Sequence, residues 1–590
     1  MAKKSKKKRR RKRLTPQEKE QRSQKREITT ILKNIGFQKV PYIDGKEFVY
    51  QERTTEMDDI FINENIILIT EYTIGSPGTH LIKKNVFYEK VLKDPRAFIS
   101  FMLEEEKLKH FKKYYEENIE DNYSKNQLRL KILYCSKQTI SEEHKKNVAK
   151  KITFFDYHIV KYFKSLTKII KKSSKYEFLN FLNISFEEFG DNFKKSSLGS
   201  SNTFSGHILP EERSYFDEGY KIVSFYIDAE SLMKRAYVLR QNGWRDIDNV
   251  GHYQRMFESK KISSMRKYLT EKRRVFINNI ISTISVDKIQ LLDEDKNPLV
   301  INPDGQFLGK NSSVVTPAYI EINDECNIIG LIDGQHRTYA YHEGDDQYEK
   351  NISKLRGVQN LLVTGILFPK TETNQKRLKF ESNLFLEINS NQTNVKSQLR
   401  QEIELLITPF STVAIGKKIL AGLNKSGPLG NLIEQYWYEK GKVKTASIVS
   451  FGLKPLVKLE EIKASDSLYA LWKNSEKNKL KTKNSQEFEL LDEYVGFCVE
   501  KIRDILIGFQ SNLSKEQWST YSPGTPKGLL TVTTINGILN VLRKLIENNK
   551  VLSSKEYIKK LEGIENYNFK AFKSSQYRKL GEDIYKKFFD

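Results

Sequence analysis

At 590 residues, with 38% hydrophobic and 11% aromatic residues, the chain is too long for one ordinary core and too apolar for wholesale disorder, so two or three aromatic-rich domains are expected. A formal net charge of +25 points to a polyanionic partner, DNA above all; a lysine-rich coding bias that merely solvates the surface is the alternative source of the excess outside the first residues. Cys135, Cys326 and Cys498 are far apart and form no CxxC pair, which argues against a disulfide framework or structural zinc, and no apolar run approaches the ~18 residues of a membrane span, so a soluble cytoplasmic protein without a membrane partner is expected.

Residues 1–13 carry ten lysines and arginines, and residues 1–30 are expected to be a basic arm, disordered or helical, that meets nucleic acid. An amphipathic helix over 14–35 leads out of it. From 31 to 193, apolar runs at Ile66–Thr70, Leu130–Tyr134 and Ile152–Phe155 alternate with helix-period stretches at Phe98–Tyr115 and Glu142–Lys150, which is the pattern of an α/β domain.

Within that domain an acidic pair, Asp58 and Asp59, precedes a turn at Asn63–Asn65 and an apolar strand that closes on Glu71, Tyr72 and Thr73. A solvent-facing acidic hairpin is the plain reading. The segment also resembles the hairpin of PD-(D/E)xK nucleases, in which an acidic residue opens one strand and Glu-x-Lys closes the next. The resemblance implies that Asp59 and Glu71 hold Mg²⁺ and that the residue two positions on, here Thr73, stands where a lysine positions the attacking water. Threonine lacks the charge, so either Lys83 or Lys84 reaches in, or the domain binds DNA without cutting it.

The Ser/Gly/Asn-rich stretch at 194–209 predicts a linker, followed by a mixed α/β domain over 210–405 with strands at Ile222–Ile227, Asn327–Ile332 and Asn360–Phe368. Inside it, an apolar strand runs into Asp333, Gly334, Gln335, His336 and Arg337 and then a helical pattern. Ordinary turn chemistry explains such a stretch. A strand, a glycine and a helix start also make an anion-binding arrangement, in which Asp333 caps the helix or holds a metal, His336 donates to the anion or shuttles a proton, and Arg337 forks onto phosphate.

These five residues resemble the name-giving motif of the DGQHR-domain family, which includes DndB-like proteins of DNA phosphorothioation systems and is similar to the ParB/sulfiredoxin superfamily. Flanking segments carry the likeness further: Gln254 and Arg255 before a helix, Phe276–Ile281 as a strand, and Phe385, Ile388, Asn389 and Gln392 downstream. The resemblance implies a ParB/sulfiredoxin-like α+β domain that binds a nucleoside triphosphate through Asp333 to Arg337, with Asn389, Gln392, Gln254 and Arg255 nearby. Gln335 in place of a cysteine excludes sulfinic-acid reduction.

Residues 406–590, punctuated by Lys425–Gly430 and Ser522–Gly528, are expected to be mostly helical. The fold class is thus multidomain α/β, and the function implied is a DNA-associated protein of a prokaryotic DNA-modification or phage-defence system. It would bind a nucleotide and act as an NTPase, a metal-dependent endonuclease, or both, alongside other modification or defence proteins. The alternatives are a non-catalytic DNA-binding regulator and a subunit that senses modified DNA.

Overall fold

The computed structural model describes residues 14–138, 140–146, 148, 152–190, 202–210, 220–238, 257–299, 314–390, 397–434, 439, 441–459, 465–481, 486–520 and 528–590. These form a mixed α/β protein of two compact units, the first within residues 14–373 and the second within 374–590.

The first helix, Pro16–Ile35, starts where Thr15 and Glu18 exchange hydrogen bonds across the first turn and stops at Gly36, whose φ of +119° reverses the chain. Then come β1 (Gln38–Lys39), β2 (Phe48–Tyr50), β3 (Arg53–Thr55), β4 (Asp59–Asn63), β5 (Ile66–Thr73), β6 (Arg129–Ser136) and β7 (Thr153–Phe155). Five of them form one sheet in the order β1-β4-β5-β6-β7. β4 lies between β1 and β5 and runs antiparallel to both, whereas β5, β6 and β7 run parallel. All eight residues of β5 are buried, as a central strand covered on both faces requires. The stretch expected as one helix over 98–115 is two, Pro95–Glu104 and Lys109–Asn118.

The second sheet of this unit comprises β8 (Thr203–Ile208), β9 (Lys221–Asp228), β10 (Ala236–Val238), β11 (Ile280–Ser285), β12 (Ile289–Leu292), β13 (Thr316–Ile322), β14 (Ile329–Asp333) and β15 (Asn360–Phe368). Their order is β10-β14-β11-β15-β9-β8-β13-β12. Thr203–Ile208 therefore lies in a ladder, pairing with both β9 and β13, where serine and glycine content predicts a linker. The segment expected as a strand from Phe276 becomes one only at Ile280; Phe276–Asn279 is a loop.

Among its described residues the second unit is largely helical. Long helices at Thr412–Lys425, Phe488–Asn512, Val532–Glu547 and Tyr577–Phe588 bury Ile419, Tyr494, Ile502, Leu542 and Leu580 in one core. Ile448–Leu453 is a π-helical turn. No single helix among the described residues is long and apolar enough to cross a membrane. Cys135, Cys326 and Cys498 are free thiols.

Candidate functional site

The hairpin between β4 and β5 turns at Glu64, which takes φ +56°, and at Asn65, whose amide donates to Gln127 O and Glu188 O at 2.7 and 2.8 Å. So short a turn dictates the register: Asn63 lies opposite Ile66 and Asp59 opposite Thr70. One step further along, Asp58 falls opposite Glu71, and Tyr72 N donates to Asp58 Oδ2 at 2.9 Å. Side chains alternate between faces, so Asp58 goes with Glu71 and Thr73, and Asp59 goes with Thr70 and Tyr72.

The expected metal pair of Asp59 and Glu71 is therefore not formed. Asp59 is buried on the opposite face, where its carboxylate accepts from the Tyr72 hydroxyl at 3.1 Å and lies 2.5 Å from Lys39 Nζ. The acidic partner on Glu71's face is Asp58. Its Oδ1 is 2.9 Å from Lys25 Nζ of the first helix, and Lys25 also reaches Asp44 at 2.8 Å.

Lys84, from the helix Pro77–Lys93, brings a positive charge to Glu71. Its Nζ lies 3.2 Å from Glu71 Oε2 and 3.5 Å from Oε1, and it also donates to Glu56 O at 2.8 Å. The neighbouring Lys83 is exposed to solvent. Burial pushes the Glu71 carboxyl up to about 8, against the pull of Lys84 and with Asp58 adding to the rise. Glu71 Oε2 is near enough to Lys84 for an ion pair, yet accepts no aligned hydrogen bond.

Thr73 sits on the same face as Tyr134, which lies beside Glu71 on β6 and whose hydroxyl donates to Pro77 O at 3.3 Å. His80 Nδ1 lies 3.0 Å from that hydroxyl, and burial together with Lys84 lowers the imidazole pKa. Gln24 of the first helix donates to Thr73 O and Cys135 O, clamping the ends of β5 and β6 together. Among the described residues no three His, Cys, Asp or Glu side chains cluster to hold a metal ion. Asp58 and Glu71 are still hard oxygen donors on one face, and the unbonded Oε2 suits Mg²⁺, which takes one or two carboxylates and keeps water on its other positions.

In the second sheet, β14 ends at Asp333 and Gly334 takes φ +93°, starting a helix of only five residues, Gln335–Tyr339. A Cβ at Gly334 would lie 2.8 Å from Ile280 Cγ1, so the backbone here runs hard against β11 and tolerates only glycine. Asp333 is not the helix cap expected of it; its Oδ2 pairs with Arg337 Nη2 at 2.8 Å. Arg337 does not splay outward either, because the same Nη2 donates to Asn279 O at 2.9 Å. His336 Nε2 accepts from Glu258 N at 3.0 Å, which leaves the proton on Nδ1.

Gln335 is 1% exposed and neither amide atom has a hydrogen-bond partner among the described residues. Gln254, Arg255 and Gln392 lie outside the described residues. Asn389 falls at the end of the helix Asn374–Ser390, in the second unit, and its side chain is likewise outside the description.

No family model, curated protein or solved structure matches the chain.

Proposed function

We propose that the chain is a DNA-acting protein whose first sheet carries a PD-(D/E)xK-like hydrolytic centre made of Asp58, Glu71 and Lys84. One observation carries this reading: a buried glutamate at the end of a central strand, paired with a lysine and facing an aspartate from the adjoining antiparallel strand. In this reading the lysine comes from the following helix and not from position 73.

Mg²⁺ bound at Asp58 and Glu71 would polarise a phosphodiester and lower the pKa of a bound water. The protein's own part is electrostatic. Lys84 favours the ionised form of a carboxylate that burial would protonate, and it places a positive charge beside the position a phosphate oxygen would take. Lys25 balances Asp58 from the other side. With supercoiled plasmid and Mg²⁺ or Mn²⁺, the full chain should produce open circles. Asp58→Asn, Glu71→Gln and Lys84→Ala should each lower that rate by about 10²-fold or more, and Asp59→Asn should leave it intact if it remains folded. Absence of nicking with either metal overturns the hydrolytic reading in favour of DNA binding without cleavage.

A second reading, a nucleotide bound at Asp333–Arg337, draws on Gln335, whose amide is enclosed and unbonded beside a glycine-only turn. Arg337 would have to exchange Asp333 for phosphate. Equilibrium dialysis with ATP, CTP and GTP tests it: one of the three should be retained by the parent protein and lost from Gln335→Leu and Arg337→Ala. If all three pass freely through the parent protein's compartment, the site holds no nucleotide. A place in DNA modification or phage defence, with partners from such a system, extends the same proposal.

A further inference from the structure

The loop between the helix Ser259–Lys272 and β11 is held at both ends. At its start Gln359 Nε2 donates to Arg273 O at 3.1 Å, and Gln359 is itself fixed by the Tyr341 hydroxyl at 2.6 Å. At its end Arg337 donates to Asn279 O, and the Asn279 amide donates to Thr364 Oγ1 at 2.8 Å. Between the two, Phe276 stacks on Tyr268 with ring centroids 5.5 Å apart and meets Tyr341 edge-on. A loop so anchored has little conformational freedom left to lose on binding.

What this rigid loop presents is apolar. Ile277 is 92% exposed at its tip, next to half-exposed Val275, and Val358 projects from the neighbouring loop that Gln359 straps to Arg273. Arg273, held at φ +52°, and Arg274 are exposed alongside, and neither forms an ion pair among the described residues. A fixed aliphatic tip beside two unneutralised guanidinium groups lacks the broad apolar face that a lipid surface needs. Its shape and charge suit a polyanion with an apolar interior open at discrete steps.

We infer that this loop is a duplex-DNA wedge: Ile277 enters between adjacent base pairs from the minor groove while Arg273 and Arg274 meet the flanking phosphates. Partial unstacking at one step kinks the duplex, and the new backbone contacts offset its cost. The inference takes DNA as the polymer from the reading above but places it on a different sheet and requires no cleavage.

The test uses the full chain in EDTA, so that nicking cannot contribute, with a duplex of about 25 base pairs labelled at both ends for anisotropy and energy transfer. The parent should bind and shorten the end-to-end distance. Ile277→Ala should weaken binding by about tenfold and abolish most of the shortening, without altering the dependence on salt. The double variant Arg273→Ala/Arg274→Ala should reduce the slope of log affinity against log salt by about 2. Because Ile277 is exposed, its replacement leaves the fold intact, which circular dichroism checks. The wedge is overturned if Ile277→Ala binds and bends the duplex like the parent, or if it loses affinity for phosphatidylserine vesicles while duplex binding is unchanged. Metal-dependent nicking through Glu71 is a separate readout, so either proposal can fail while the other stands.

Discussion

His342 is enclosed by charge. Arg266 Nη1 donates to its carbonyl at 2.8 Å and lies 3.3 Å from its Nδ1, Arg356 donates to the same carbonyl, and Asp346 and Glu349 complete the group through Arg266. Burial and the adjacent guanidinium push the imidazole down to about 4 from 6.5. Because folding lowers this pKa, the unfolded chain takes up the proton first as pH falls. Stability is therefore unaffected above about 6.5 and declines as pH drops toward 4. Between pH 7 and pH 5 the loss from this one group is about 2 kcal/mol. Urea denaturation of the parent and of His342→Gln at the two pH values should show the parent losing about 2 kcal/mol relative to the variant, whatever Glu71 and other groups contribute to both. An equal pH dependence in both would assign the acid sensitivity elsewhere.

At the scale of elements, the strands of the first sheet were legible because uninterrupted apolar runs such as Ile66–Thr70 have few alternatives to a buried strand. Which carboxylate shares a face with Glu71 is set by register and not by the opening position of β4: the two-residue turn after Asn63 sets Asp59 against Thr70 and so turns Asp58 toward Glu71. The approach of Lys84 to Glu71 was only partly legible, because which of two adjacent lysines turns toward the sheet depends on the rotation of the helix Pro77–Lys93. Asp333 and Arg337 are four residues apart across a tight glycine turn, a spacing that lets them pair with each other before either meets a ligand. Thr203–Ile208 was hidden because its serine and glycine content describes loops, whereas Gly206 is there for close strand approach: a Cβ on it would lie 2.2 Å from Ser224 O.

For the whole molecule, charge is the property that sequence states most directly and contact geometry leaves most open. Ten of the cationic residues behind the +25 are concentrated in residues 1–13, while other lysines are committed to carboxylates, as Lys25, Lys39 and Lys84 are at Asp58, Asp59 and Glu71. On the proposed DNA, cations already paired would release fewer counterions, so the salt dependence of binding should be dominated by residues 1–13 and by groups such as Arg273 and Arg274 that form no ion pair among the described residues. Deleting residues 2–13 should flatten the slope of log affinity against log salt by several units, approaching about 0.9 for each phosphate the arm neutralises, and should weaken binding most at low salt. The bend attributed to Ile277 should persist at protein concentrations high enough to saturate the duplex. If the truncated chain keeps the full slope, the body of the protein carries the electrostatic contact and the arm serves another purpose. If slope and bend vanish together, the arm and the loop act as one binding surface.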